Sequence, residues 1–175
     1  MVSATEQRRF TGVVLVVLLL DLATKIAAEV FLRRYVGVAV LGDFFQLRLV
    51  YNPGAAFGIH VGEYSRWVFM CLSIAALVVL GSMLRTTRAG DTIRLYALSL
   101  ICAGAAGNLV DRFRSSRGVV DFLDFTFGNW HFPTFNVADT AVTCGAFLLA
   151  WSLWTEGRQA EAPPLAPEAA PPAAS

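Results

Sequence analysis

Four stretches of the chain are apolar over a length that is typical of membrane-spanning helices. They cover about residues 10–32, 67–84, 93–110 and 138–154. Each approaches the ~20 helical residues that cross a bilayer. The first stretch follows Arg8 and Arg9 as a signal peptide would, but it lacks a small-x-small cleavage site and continues to Leu32. We therefore interpret it as a retained helix, and the pattern predicts an α-helical membrane protein with four transmembrane helices.

The apolar pattern changes its period in the segment 33–58. Residues 36–41 and 44–51 are rich in β-branched and aromatic side chains and flank a Gly-Asp pair, which predicts a β-hairpin with a tight turn. The following run from Asn52 is rich in turn-forming and small residues. We expect a small outward-facing β-rich cradle, with an interfacial loop at 58–66 that acts as a lid.

Composition agrees with a membrane protein. Hydrophobic residues make up 56% of the chain and charged residues 15%, whereas soluble domains carry about 25% charged residues. The net charge is +1 and the basic residues form no stripe, so nucleic acid is not an expected partner. The tail 156–175 consists mostly of Ala, Pro and Glu, and we expect it to be disordered.

Cysteine and histidine provide no pattern of metal ligands. Cys71, Cys102 and Cys144 lie in predicted spans, and their odd number and spacing argue against disulfides or a metal site. His60 and His131 belong to no H-E-x-x-H motif. We expect three packing thiols, no metal and no cofactor.

An Asn-x-x-Asp pattern occurs twice, each time where an apolar stretch meets a polar loop. Asn108 and Asp111 end the third stretch, and Asn136 and Asp139 begin the fourth. Singly, Asp111 is explained as a surface acid paired with Arg112, and Asp139 as part of a helix cap. Their coincidence instead favours two facing carboxylates that share one proton and activate a water, as in aspartic proteases.

Other charged residues have structural interpretations. Asp21 and Lys25 lie in mid-span at positions i and i+4, and we expect an internal ion pair that braces the helices. Asp124 is explained by a solvated loop or a short strand, and the aromatic segment 125–135 is expected at the headgroup level. The short basic loop 85–94 favours cytoplasmic termini, although the count of basic residues on the two sides does not decide the orientation.

Five motifs in order resemble the bacterial lipoprotein signal peptidase family, also called signal peptidase II, over about residues 10–154. They are Asp21-x-x-Thr24-Lys25, Asn52-Pro53-Gly54-Ala55-Ala56-Phe57, Gly107-Asn108-Leu109-Val110-Asp111-Arg112, Gly118-Val119-Val120-Asp121-Phe122 and Phe135-Asn136-Val137-Ala138-Asp139. Each motif is weak alone, but their order relative to four spans is specific. Leu22 and the Ala/Pro tail depart from the family pattern.

The resemblance implies an aspartyl endopeptidase of the bacterial inner membrane that acts without metal or cofactor. Its substrates would be diacylglyceryl-modified prolipoproteins, cut just before the lipidated cysteine near the periplasmic face, and it would work as a monomer in contact with membrane lipid. It implies the following roles: catalysis by Asp111 and Asp139, support of that pair by Asn108 and Asn136, lining of the site by Asn52 and Arg112, and support of the helices by Asp21 and Lys25.

A second class of function stays open at this point. Intramembrane acids also mark the pathways of ion- or proton-coupled transporters, and a purely structural scaffold is a weaker third interpretation. Transporter acids are expected near the bilayer midplane, whereas Asp111 and Asp139 fall at the ends of spans. Their depth therefore favours the peptidase.

Overall fold

A computed structural model describes residues 2–54 and 62–161, and the side chains of this part up to residue 158. Four long helices and a small antiparallel sheet form the chain. The helices are α1 (Ala4–Phe31), α2 (Ser65–Thr86), α3 (Thr92–Arg114) and α4 (Val137–Glu161), and the strands are β1 (Gly37–Leu41), β2 (Phe45–Asn52), β3 (Val119–Phe127) and β4 (Trp130–His131). A short 3-10 turn, Gly62–Tyr64, precedes α2.

The helices agree with the apolar stretches to within a few residues at most ends. Three helical segments are long and apolar enough to cross a membrane: Gly62–Thr86, Thr92–Arg114 and Val137–Arg158. Helix α1 begins in a capping box, where Ser3 and Glu6 each accept the other's backbone N–H. Helix α4 continues to Glu161, so it includes the first residues of the predicted tail, and residues 162–175 lie outside the described part.

The predicted hairpin is present as part of a larger sheet with the strand order β1-β2-β3-β4. Strands β1 and β2 pair antiparallel, with Val38 opposite Leu47. Strand β3 pairs with β2 and places Asp121 opposite Val50. Asp124 lies on β3 and is only 1% exposed, so the short-strand interpretation of this segment is confirmed and the solvated loop is wrong.

The sheet packs on the last turns of α1. Ala28 forms a buried cluster with side chains from the two central strands, among them Leu49, Tyr51, Val120 and Phe122. A second cluster, deeper between α2 and α3, contains Cys102. Within the described residues all three cysteines are free thiols, and Cys71 and Cys144 lie exposed on helix surfaces. The first cluster fixes the sheet over the ends of the helices.

Two glycines bring α3 close to its neighbours. A Cβ atom on Gly104 would collide with the backbone carbonyl of Ala138, and one on Gly107 would collide with the Asp21 carboxylate. Close approach of this kind needs small residues at the helix interface. The packing brings α1, α3 and α4 together where α3 ends and α4 begins, and we call this the site end of the helices.

Candidate active site

Lys25 lies at the centre of a buried polar network at the site end. Its Nζ atom is 2.8 Å from Asp21 Oδ2 and 2.9 Å from Asp111 Oδ2, and all three side chains are 0% exposed. It also donates to Asn108 Oδ1 at 2.9 Å. The predicted internal ion pair with Asp21 is therefore confirmed, but Lys25 serves a second carboxylate as well.

Asp21 holds the beginning of α4. Its Oδ1 atom accepts a hydrogen bond from the backbone N–H of Ala138 at 2.9 Å. The first N–H groups of a helix have no partner within the helix, and the helix dipole favours an anion there. The carboxylate of α1 thus fixes the start of the helix that carries Asp139.

The carboxylate of Asp111 contacts several neighbouring groups. In addition to Lys25, its carboxylate contacts Arg114 at 3.2 Å and accepts the backbone N–H of Val120 at 3.1 Å. It is 0% exposed, so its interpretation as a surface acid is wrong. Asp111 joins the end of α3 to the start of β3.

Asp139 lies in the first turn of α4 and combines capping with a second contact. Asn136 and Asp139 each accept the other's backbone N–H, at 2.9 and 3.2 Å, as the sequence predicted for a helix cap. The other carboxylate oxygen accepts from Asn108 Nδ2 at 2.8 Å. Two donors, the backbone of Asn136 and the side chain of Asn108, therefore fix the position of the Asp139 carboxylate at the start of α4.

Asn136 connects Asp139 to a third carboxylate, that of Asp121. Its Nδ2 atom donates to Asp121 Oδ1 at 2.7 Å and to Asn108 Oδ1 at 3.2 Å. The second oxygen of Asp121 accepts from Asn52 Nδ2 at 3.2 Å. Asp121 is 2% exposed, and it therefore faces the network rather than water.

Arg112 and Gly118 hold the turn after β2 against the network. Arg112 donates to the carbonyls of Gly54 at 3.0 Å and Asn108 at 3.1 Å. Gly118 has φ +104°, and a Cβ atom there would collide with the backbone of Asn52, so this position requires glycine. Residues 55–58 of the predicted cradle and residues 58–61 of the predicted lid lie outside the described part.

The pKa of Asp121 is raised from 3.8 to about 7. Burial is the largest cause, and repulsion from the Asp139 carboxylate adds to it, while the donors Asn52 and Asn136 act in the opposite direction. A carboxyl group of this kind is partly protonated at neutral pH. It can therefore donate a proton to a reacting group that lies beside it.

The balance of charges in the network also favours one protonated carboxyl group. Asp21, Asp111, Asp121 and Asp139 supply the carboxylates, and Lys25, Arg112 and Arg114 supply the cations. Arg114 is also paired with Glu29, so the four acids exceed the cations available to them when all are ionised. A proton on one carboxyl group reduces that excess, and uncompensated charge is costly in a buried site.

The geometry favours a pair of carboxyl groups other than the one predicted from the sequence. Lys25 and Asn108 stand between Asp111 and Asp139, and Asp111 is bound to two cations. Asp121 instead reaches Asp139 through Asn136 alone. The sequence contained a signal for it, since an acid inside the apolar run from Val119 is costly to bury and needs a reason.

Within residues 2–54 and 62–161, no group of three or more His, Cys, Asp or Glu side chains is placed to hold a metal ion. The buried carboxylates pair instead with amides and cations.

Comparison with known proteins identifies the family. The family model described as signal peptidase (SPase) II matches residues 13–155. The chain belongs to the signal peptidase II family. A lipoprotein signal peptidase of Burkholderia mallei (strain SAVP1) is 46% identical over 145 residues, which are 80% of this chain and 84% of the relative. One from Paraburkholderia phymatum is also 46% identical with the same coverage.

Two solved structures resemble this protein over most of its length. A bacterial membrane enzyme solved by the in meso method at 2.3 Å resolution superposes with a TM-score of 0.80 and 26% identity, over 90% of this chain and 94% of that chain. A second one, solved at 1.9 Å, gives a TM-score of 0.74 and 29% identity over 83% and 92%. Membership of the signal peptidase II family makes this protein a protease and confirms the resemblance of the five motifs.

Proposed function

We propose that this protein removes the signal peptide from prolipoproteins as an aspartic endopeptidase, with Asp121 and Asp139 as its catalytic pair. The observation that carries the proposal is the buried Asp121, joined through Asn136 to Asp139, with a pKa of about 7. Family membership supports the substrate class. The ion-coupled transporter has no support in these comparisons.

The pair supplies the two proton transfers that amide hydrolysis needs. The Asp139 carboxylate takes a proton from a water as the water oxygen bonds to the scissile carbonyl carbon. Protonated Asp121 gives its proton to the carbonyl oxygen. The carbon–nitrogen bond then breaks, the leaving nitrogen takes the proton from Asp139, and the new carboxyl group returns a proton to Asp121.

The remaining predicted site residues position this pair. Asn108 and Asn136 donate to the two carboxyl groups, and Asn52 donates to Asp121. Arg112 holds the 52–54 turn through Gly54. We assign Asp111 to this supporting set, because its bonds to Lys25 and Val120 fix α1 and β3 on α3.

We propose α1 as the fourth membrane span. It is 28 residues long, and its side chains Val16, Leu19 and Val30 are 66%, 63% and 67% exposed. Apolar surface of this extent suits lipid rather than water. The charged Asp21 and Lys25 point into the protein, as charged groups within membranes do.

We further propose that the protein lies in the bacterial inner membrane with cytoplasmic termini and the site end toward the periplasm. Asp121 lies on β3 and Asp139 at the start of α4, so both are near the membrane surface in this arrangement. A diacylglyceryl group on the substrate cysteine would then stay in the bilayer while water reaches the bond. We also propose that it works as a monomer.

The test compares Asp→Asn variants in cleavage of a diacylglyceryl-modified prolipoprotein peptide by the purified protein. Asp121→Asn and Asp139→Asn should each lower kcat by several orders of magnitude, as expected for members of one catalytic unit. Asp124→Asn is the matched control, because Asp124 is a buried acid of the same strand that bonds to Arg48 and His131 instead.

Asp111→Asn distinguishes a catalytic pair of Asp121 and Asp139 from one of Asp111 and Asp139. It should lower the melting temperature and leave measurable turnover, since the amide still accepts the N–H of Val120 but no longer balances Lys25. Near-normal turnover of Asp121→Asn, together with complete loss in Asp111→Asn, would return Asp111 to the catalytic pair.

A further inference from the structure

Arginines gather around one tyrosine, Tyr51, at the site end. The guanidinium carbon of Arg117 is 4.0 Å from the centroid of the Tyr51 ring, and that of Arg34 is 5.4 Å from it. Such distances are typical of cation–π contacts. Arg33 and Arg114 lie close by in sequence to these two residues. Together Arg33, Arg34, Arg114 and Arg117 are called the arginine cluster.

The positive charges of the arginine cluster outnumber the carboxylates that contact it. In the described part of the chain, two carboxylates contact these four arginines. Glu29 contacts Arg114 at 2.7 Å and Arg117 at 3.4 Å and also accepts the Tyr51 hydroxyl at 2.9 Å, and Asp111 contacts Arg114 at 3.2 Å. In residues 2–54 and 62–158, no ion pair joins Arg33 or Arg34 to a carboxylate, and both side chains are exposed. A surplus of positive charge therefore remains at this surface.

The backbone between α1 and β1 holds Arg34 in place. Tyr35 has φ 61°, a left-handed conformation that is uncommon for residues other than glycine. Its backbone N–H donates to the carbonyl of Leu49 at 3.0 Å, and its hydroxyl accepts from Arg34 at 2.8 Å. Strained backbone of this kind persists where the surrounding structure fixes it, and it clusters at binding sites.

Exposed apolar side chains lie beside the arginine cluster. Val30 and Phe31, in the last turn of α1, are 67% and 81% exposed, and Phe113, next to Arg114, is 58% exposed. These side chains belong to helices that are apolar on their outer faces. Positive charge that borders such a surface matches a molecule with an anionic head and an apolar tail.

We propose that the arginine cluster binds the phosphodiester headgroup of an anionic membrane phospholipid, with Val30 and Phe31 along its acyl chains. Guanidinium groups bind phosphate oxygens through paired hydrogen bonds, and exposed Arg33 and Arg34 are free to supply them. The adjoining apolar residues distinguish a lipid from a free phosphate ion. This site is separate from the proposed catalytic pair and does not depend on it.

The test measures lipid binding to the protein in a non-ionic detergent by native mass spectrometry. Dihexanoyl-phosphatidylglycerol is titrated in parallel with dihexanoyl-phosphatidylcholine, which has the same chains but no net charge. Arg34→Gln/Arg117→Gln should weaken binding of phosphatidylglycerol by about tenfold or more, since each surface arginine contributes roughly 1 kcal/mol to attraction of anionic lipid. Phosphatidylcholine should bind weakly to every variant.

The matched control is Arg8→Gln/Arg85→Gln, which removes the same charge from exposed residues at the other end of the helices. It should retain the affinity of the unchanged protein. Arg33→Gln is a second variant in case the double change lowers the melting temperature, and it should weaken binding about fivefold on the same reasoning.

Three results would overturn the proposal. One is an equal loss of affinity in the cluster variant and the control, which would indicate attraction by net charge alone. Another is equal binding of the two lipids by the unchanged protein. The third is displacement of phosphatidylglycerol by millimolar inorganic phosphate, which would identify a site for the free ion.

Discussion

Raising the pH should lower the stability of the folded protein because Asp121 ionises. Unfolded chains ionise this side chain near its ordinary pKa of 3.8, whereas the folded protein ionises it only near about 7. Between these values the folded state binds more protons than the unfolded state, so stability falls as pH rises. The stabilising contribution is complete below the unfolded pKa and is lost as pH rises through the folded pKa.

The magnitude follows from the gap between the two pKa values. At ~1.4 kcal/mol for each pH unit, the gap from 3.8 to about 7 amounts to about 4 kcal/mol. Asp121 is 2% exposed, so solvent screening reduces this little. For a chain of this size, ~2–4 °C of melting temperature corresponds to each kcal/mol, and the effect should be about 10 °C.

The measurement is the melting temperature of the purified protein in detergent from about pH 4 to pH 8. The unchanged protein and Asp124→Asn should lose stability over this window, and Asp121→Asn should show a flatter curve because its amide does not titrate. The difference between the curves removes the titration of groups common to all variants. Parallel curves for the unchanged protein and Asp121→Asn would refute the assignment of the raised pKa.

The remaining predictions concern the pair's proton, the buried lysine, helix contact and substrate lipid. Turnover should fall about tenfold per pH unit above about pH 7 as Asp121 loses its proton, and a flat kcat profile to pH 9 would contradict this. Lys25→Met should cost about 3–5 kcal/mol because it removes the cation shared by Asp21 and Asp111. Adding Asp21→Ala should not restore stability, because Asp111 still lacks one of its two cations; recovery of the melting temperature would count against the network. Gly107→Ala should cost about 1–3 kcal/mol by overpacking against Asp21, whereas Gly12→Ala, with open space around it, should cost nothing in thermal unfolding. A precursor with an unmodified cysteine should remain largely uncut at saturating concentration because the lipid positions the bond, and equal turnover would show that the enzyme reads peptide alone.

The sequence predicted the helices and the hairpin well because their signals are local. Apolar length identified the helices, and alternation around Gly42-Asp43 identified β1 and β2. For the segment of β3 the sequence left a solvated loop and a short strand open, because Asp121 and Asp124 interrupt its apolar residues and yet are buried. The burial of Asp124 depends on its contacts with Arg48 from β2 and His131 from β4. Such pairing of distant strands is not visible in a local pattern.

In the candidate site, too, the local pattern predicted some features, and contacts between distant residues determined the others. The repeated Asn-x-x-Asp pattern correctly selected residues of the network, including the cap formed by Asn136 and Asp139. It could not show that Lys25 crosses from α1 to Asp111, since that contact joins residues far apart in the chain. Asp111 is thus ion-paired, whereas Asp121 is held by the amides of Asn52 and Asn136. Spacing along the sequence therefore found the neighbourhood of the site, and the long-range contacts distinguish the surroundings of its acids.

The hydrogen bond from Ala138 to Asp21 joins residues 117 positions apart, and it has a consequence for biosynthesis. Asp21 belongs to α1, whereas Asp139 belongs to α4, which the ribosome makes later. The proposed catalytic carboxylates therefore meet only after α4 has entered the bilayer beside α1. A chain that is truncated before α4 lacks Asp139 and is expected to be inactive.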